Sequence, residues 1–422
     1  MHIGVYGSGY LGTIFSACLA DFGMPVTCFD EDTSRITSVA QGTVPYFERN
    51  LTEVVRRNIR AGRLIFSTDI ESTLRKCEVV FFAQDSSSYL EDRAFKIAHM
   101  MTGNAVLVLV TPVSVGTASR IAEKLRTSMP NVSLVSHPAF FTDGCAVEDF
   151  NWPDRILLGA TSGQAVLTLK QIYRPLVMRG VPIIVTNHET AELAREASTA
   201  FVATKISFIN ELTSLCERVN ADAVDLALAL GLDKKIAPRC LQPGAGFGGS
   251  FVESDMDSLV QLATGQGVSL RILSAAREVN RTLSERVTTK IARMLNSVTG
   301  KELALLGLAF KPNTNSVAGS SSVLLARSLA AKGAQIRAYD PVAIPDAMQE
   351  LEASVRFCED AYDAAEGADA IVVGTGWPEF RALDFEKIKR LLKKPIIVDT
   401  KNLLDAGRMR AIGFQYVGMG RA

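Results

Sequence analysis

Two stretches of the chain carry residues whose types and spacing suit chemistry. Near the start, Gly7, Gly9 and Gly12 form G-x-G-x-x-G directly after the apolar run "HIGVY" (2–6) and ahead of an apolar-periodic stretch that reaches about Asp21. That order reads as strand, tight turn and helix, in which glycines let the backbone turn sharply and bring a pyrophosphate against the amides of a helix N-terminus. A second strand-like run, "PVTCFDED", ends in acid. A carboxylate at Asp30 accepts hydrogen bonds from both hydroxyls of a ribose and repels a 2′-phosphate, so the expected cofactor is NAD rather than NADP. Tyr10, Leu11 and Arg35 complete the cofactor-binding set. The other stretch is "GFGGSFVESD" (246–255), where a glycine run is followed by Ser250, Phe251, Glu253, Ser254 and Asp255. Backbone amides of such a run can wrap an anion, while Phe251 adds only a hydrocarbon side chain.

Composition narrows the classes. Lys plus Arg and Asp plus Glu each total 45, which leaves no basic excess to neutralise a nucleic-acid backbone. No apolar run approaches the roughly 20 residues needed to cross a bilayer, and the first residues begin a strand instead of a signal peptide, so a cytoplasmic protein without a membrane partner is expected. The seven cysteines are scattered and odd in number, indicating neither a disulfide framework nor a metal site.

These residues must be positioned by alternating elements. Strand-like runs recur at 78–84, 104–112 and 132–138 with helical stretches between several of them, which means βαβ units and a parallel sheet. Residues 190 to 220 hold apolar residues at helical spacing with no Gly or Pro, one long helix, with shorter helices expected to about residue 295. The alternation restarts at 302–310, 334–341, 369–375 and 395–400. The expected architecture is α/β: two Rossmann-like, doubly wound parallel-sheet domains joined by a long central helix and helical segment. The parts are 1–190 for NAD, 191–298 for helical dimerisation and 299–422 for a nucleotide or nucleotide sugar.

The segments "GSGYLG", "HPAFFTDGCAVEDFNWPDRILLGA" (137–160), "FVATKISFINEL" (201–212), "APRCLQPGAGFGGSFVESD" (237–255), "LGLAFKPNTNS" (306–316) and "GTGWPEFRAL" (374–383) together resemble the nucleotide-sugar dehydrogenases, the UDP-glucose 6-dehydrogenase and GDP-mannose dehydrogenase type. The resemblance covers nearly the whole chain. It implies oxidation of a sugar CH₂OH by NAD, with a cysteine thiolate trapping the aldehyde so that a second hydride can leave. It also implies a homodimer built on the long helix.

Residue by residue, the chain departs from that pattern. The family's cysteine falls on Phe251, its helix lysine on Arg195, its helix asparagine on Thr199, its glutamate on Ala139 and a further lysine on Ser254; only Asp255 is retained. Arg195 can stabilise an anion but not act as a base. The segment 83–88 lacks the Gly-Thr-Pro that lies along the dinucleotide, and Ala318 stands for an arginine. On the nucleotide-sugar side the resemblance assigns Ala139, Phe140, Phe141, Phe247, Gly248 and Lys311, with Phe247 offering a ring face. Two family arginines fall on Lys235 and Lys401, which keep the charge without the bidentate fork. For the three lysines the competing reading is plain solvated surface. Cys145 and Cys240 are the thiols considered as replacements and read better as structural; His137 is a candidate acid or base, with a satisfied structural histidine as its alternative.

The expected function is therefore an NAD-dependent oxidoreductase with altered chemistry, a single two-electron oxidation of a nucleotide sugar or related nucleoside. The alternative is a catalytically silent binding or regulatory homologue, and full oxidation of UDP-glucose to UDP-glucuronate with an unrecognised nucleophile ranks last.

Overall fold

The computed structural model describes residues 1–84, 89–351 and 355–421; the side chains of Ser250 and Phe251 lie outside that description. The chain divides into two compact units, Met1–Ala197 and Ser198–Ala422.

In the first unit, strands β1 (Ile3–Tyr6), β2 (Val26–Phe29), β3 (Leu64–Ser67), β4 (Val79–Phe82), β5 (Ala105–Leu109), β6 (Val132–Ser136), β7 (Ile156–Ala160) and β8 (Ile183–Thr186) form one sheet in the order β3-β2-β1-β4-β5-β6-β7-β8. The central strands are short, apolar apart from Thr27 in β2, and buried, as parallel strands covered on both faces must be. One face packs Ile3, Val5, Phe15 and Phe81, the other Tyr6, Phe29, Val80 and Phe82. The sheet is not wholly parallel: β7 runs antiparallel to β6, and β8 then pairs parallel with β7.

The second unit holds a fully parallel sheet, β9 (Glu302–Leu306), β10 (Gln335–Tyr339), β11 (Val355–Phe357), β12 (Ala370–Val373), β13 (Ile396–Asp399) and β14 (Gln415–Gly418), ordered β11-β10-β9-β12-β13-β14. Its six strands repeat the order of the first six positions of the eight-stranded sheet.

The long helix spans His188–Val219. From Ser198 on, the helical segment expected over 191–298 groups with the C-terminal sheet. Its later helices, Ser250–Gly265 and Arg271–Leu295, run 16 and 25 residues, shorter than the 32 of the long helix, and end at Leu295. Among the described residues no helix is long and apolar enough to cross a membrane.

Candidate functional site

The glycine turn follows from close contacts. Gly7 adopts φ +114°, and a Cβ there would lie 2.3 Å from the Ala83 carbonyl oxygen; a Cβ on Gly12 would lie 1.8 Å from the Gly7 carbonyl oxygen. Only glycine lets the turn fold back on itself so tightly. Gly9 caps the helix Tyr10–Asp21, whose first turn contains no acid and whose cap contributes no side-chain hydrogen bond. The first amides of this helix, those of Tyr10, Leu11 and Gly12, have no intrahelical acceptor and stand at the positive end of the helix dipole. That is a diphosphate cradle, and it fits NAD.

Asp30 does more than the sequence suggests. Its Oδ2 accepts the Ser8 backbone N–H at 2.6 Å and the Ser8 hydroxyl at 2.9 Å, while Oδ1 accepts the Asp32 N–H at 3.1 Å. A carboxylate offers about four acceptor sites, so the three donors leave capacity for one further hydroxyl, not the two expected. Asp30 thus ties the glycine turn to the second strand as well as offering an acceptor to a ribose. Tyr10 commits its hydroxyl to Glu48 Oε2 at 2.5 Å, Leu11 is buried in the core, and Arg35 pairs with Asp32 at 3.3 Å. Of the segment 83–88 read against the Gly-Thr-Pro, Ala83 and Gln84 are described, Gln84 taking the Thr111 hydroxyl and the Arg93 guanidinium, while 85–88 lie outside the described residues.

The loop after β6 carries His137, Ala139, Phe140 and Phe141. His137 is fully enclosed, with Nδ1 3.0 Å from the Leu157 carbonyl oxygen and Nε2 2.8 Å from the Tyr173 hydroxyl. Burial pushes its pKa down to about 4, so it is a neutral structural group and not the acid or base considered above. Phe141 packs its ring 5.5 Å from that of Phe15, and the Arg155 guanidinium stacks 3.7 Å over Phe140. Ala139 lies partly buried against the same core and brings no carboxylate.

Arg195 and Thr199 stand one turn apart on His188–Val219, each half-buried. What fixes the start of that helix is Glu192, which sequence reasoning missed: its carboxylate accepts Gly116 N–H at 2.6 Å and Ala118 N–H at 2.8 Å, at the N-terminus of Thr117–Ser128. Burial raises the Glu192 carboxyl above its ordinary range. Nothing local marks it, since the amides it holds lie 74 and 76 residues away in sequence.

In the second unit the run 244–249 is seated by side chains. Gly244 N–H donates to Asn210 Oδ1 at 2.8 Å, and Asn280 grips Phe247 twice, accepting its N–H at 2.9 Å and donating to its carbonyl at 3.2 Å. Gly249 N–H donates to the Ala318 carbonyl at 3.0 Å, and a Cβ on Gly248 would meet the Gly319 carbonyl oxygen at 2.2 Å. The ring of Phe247, expected to offer a face to ligand, instead packs among Ala200, Ala203, Met256 and Leu259 and is 8% exposed. An aromatic flanked by glycines is drawn into the nearest core.

The three lysines differ. Lys401, two residues past β13, is no solvated surface lysine: Nζ donates to Ser321 Oγ at 3.2 Å, and desolvation lowers its pKa to about 8 against the opposing pull of Asp399. Lys311 is half-buried, with Nζ 5.7 Å from the Phe310 ring centre. Lys235 is exposed, on a loop whose Ile236, Ala237 and Arg239 carbonyls all accept from Lys205 Nζ. Phe251 is the second residue of Ser250–Gly265, its side chain outside the description; Asp255, one turn on, is buried, and Glu253 and Ser254 are exposed. Cys145 is half-buried and Cys240 exposed.

The second sheet repeats the turn-holding device at Asp340, which takes N–H groups of Leu308 and Ala309, Val342 and Ala343, and the Trp377 indole N–H at 3.0 Å. Five donors saturate it, so this acid is structural, whereas Asp30 keeps capacity for a ligand.

A doubly wound sheet with a glycine turn, an uncapped first helix and a partly free acid at the second strand defines a dinucleotide-binding α/β protein of the dehydrogenase class. Family models describe the remainder: the NAD-binding domain of the UDP-glucose/GDP-mannose dehydrogenase family matches residues 1–177, its central domain 189–282 and its UDP-binding domain 304–406. The chain belongs to that family. It is 36% identical over 431 residues to a UDP-glucose 6-dehydrogenase of Bacillus subtilis, covering 99% of this chain and 93% of that one. It is also 36% identical over 436 residues to a UDP-glucose 6-dehydrogenase of Rhizobium meliloti, covering the whole of both chains. Among solved structures, a UDP-glucose dehydrogenase from Pyrobaculum islandicum superposes with a TM-score of 0.90 at 28% identity, over 100% of this chain and 98% of that one.

Proposed function

We propose that this chain binds NAD in its first unit and a UDP-sugar in its second, and removes one hydride from the sugar without proceeding to the acid. The observation that carries this is the residue at 251: a phenylalanine has no lone pair with which to add to an aldehyde carbon. NAD, when bound, would supply the acceptor for that hydride. Oxidation of the alcohol removes two electrons and two hydrogens in all, one as the hydride and one as a proton that the chain must take. The Arg195 guanidinium holds the developing alkoxide; the Thr199 hydroxyl donates a hydrogen bond to it; Asp255 takes the proton, directly or through a water. Lys401, Lys311 and the amides of 244–249 hold the nucleotide, with Lys235 a further charge on its loop.

Without a thiol to trap it, the aldehyde is released. Incubation with NAD, UDP-glucose and a hydrazine tests this: the expected product is a hydrazone formed in step with NADH. Binding of both ligands with no NADH would assign the chain to the silent homologues instead. Phe201, Phe208 and Leu215, spaced by seven and more than half exposed on the long helix, support a homodimer joined along this stripe.

A further inference from the structure

The segment 46–61 carries charge that neither the dinucleotide turn nor the glycine run uses. It lines a cavity of about 990 Å³, open on one side, at the outer face of the helix Leu51–Arg60. Four guanidiniums contribute to it, from Arg49, Arg56, Arg57 and Arg60, against two carboxylates, Glu48 and Glu53. The chain as a whole is balanced at 45 charges of each sign, so this local excess is a departure. Arg57 is held by Asp21 through both Nη2 and Nε, and Arg56 Nε donates to the Gly42 carbonyl at 2.9 Å, which leaves both of its terminal NH₂ groups. Among the described residues Arg49 and Arg60 have neither an ion pair nor a hydrogen bond, and both are exposed. Arg60 follows Arg56 by one turn, about 6 Å along the axis. Like charges at that spacing destabilise a helix unless something of opposite sign lies over them.

The rim is aromatic. Phe47 is 42% exposed, and Tyr46 meets Tyr10 edge to face at 5.8 Å between ring centres. Glu48 does not cancel the positive field: it is buried, takes the Tyr10 hydroxyl, and burial raises its carboxyl above the ordinary range. The cavity wall therefore touches the first residue of the helix that opens the dinucleotide cradle.

We propose that this cavity is a second anion site, separate from the dinucleotide cradle, and that its ligand is an oligophosphate chain. A row of guanidiniums suits successive phosphates, since each planar fork binds phosphate oxygens in pairs. An oligophosphate could come from a nucleoside triphosphate, with Phe47 under the base, or from inorganic polyphosphate.

Calorimetry on the full chain, with NAD saturating and at low ionic strength, decides the matter by titrating inorganic tripolyphosphate, ATP and AMP in turn. Tripolyphosphate and ATP are expected to bind with one equivalent and AMP at least tenfold more weakly. Arg49→Ala combined with Arg60→Ala removes two exposed side chains that hold nothing else, so the fold and NAD affinity stay, while both triphosphates weaken by tenfold or more. ATP binding tighter than tripolyphosphate, with the difference abolished in Phe47→Ala, identifies a nucleotide; equal affinities identify the inorganic chain. No binding of tripolyphosphate at millimolar concentration, or the same affinity in the double variant, would overturn the proposal.

Discussion

At the scale of single residues, two desolvated groups set measurable pH dependences. His137 titrates near 6.5 when unfolded and near 4 when folded, because burial excludes its charged form. Below pH 6.5 the unfolded chain binds a proton that the native chain refuses, so stability is complete above 6.5 and falls as pH drops toward 4. The full loss is about 3 kcal/mol at roughly 1.4 kcal/mol per unit. Urea unfolding at pH 7 and pH 4.5 should show it, and His137→Gln, which keeps a polar group but cannot charge, should flatten it. Lys401 has the opposite consequence for binding. With a pKa of about 8 in the ligand-free protein it is charged below that pH and neutral above it. If it meets a diphosphate, UDP-glucose affinity is level below pH 8 and falls about tenfold per unit above it. Lys401→Arg should abolish that fall, and an unchanged profile in that variant would remove Lys401 from the ligand site.

At the scale of elements, the glycines of the turn separate fold from function. Gly12 admits no Cβ, since one would sit 1.8 Å from the Gly7 carbonyl oxygen, and Gly12→Ala should destabilise the first unit by about 3 kcal/mol or more in thermal unfolding. Gly9 has φ −71°, open to any residue. Gly9→Val should therefore fold normally while losing NAD affinity on the order of 100-fold, because the side chain stands in the diphosphate's place. That Gly12 admits no Cβ was invisible in G-x-G-x-x-G, which records spacing but not what faces a Cα. The central strands and the long helix were legible because their apolar runs and helical periodicity leave little choice. Strands β3, β7, β8, β11 and β14 were not: "LIFS", "VRF" and "QYVG" are short and half-exposed, and their state is decided by the neighbour strand they pair with. The second acid of the fold shows the same limit. Asp340 and Asp30 both end a second strand, and only the count of donors around each tells a saturated structural carboxylate from one with a site left.

At the scale of the whole molecule, the supports of the ligand loops escaped the sequence reading. Glu192, Asn210 and Asn280 lie far in sequence from the amides they hold, so nothing local marks them. Ala139, Arg195, Thr199, Phe251 and Ser254 were legible as identities, and the functional proposal rests on reading them against the family pattern. The long helix carries another. Phe201, Phe208 and Leu215 leave an apolar stripe that a lone chain exposes to water. Light scattering at micromolar concentration should give a dimer, and Phe208→Glu, which places a charge in the seam, should give a monomer with native secondary structure. A wild-type monomer would refute the stripe as an interface.

The claim that Phe251 ends the chemistry after one hydride is tested most directly by counting NADH formed per UDP-glucose consumed at completion, with the sugar product identified. The account predicts one NADH and an aldehyde, unchanged in Phe251→Cys alone, because residues that act as a unit are not restored singly. Two NADH per sugar with UDP-glucuronate as product, made by the wild-type chain, would contradict it.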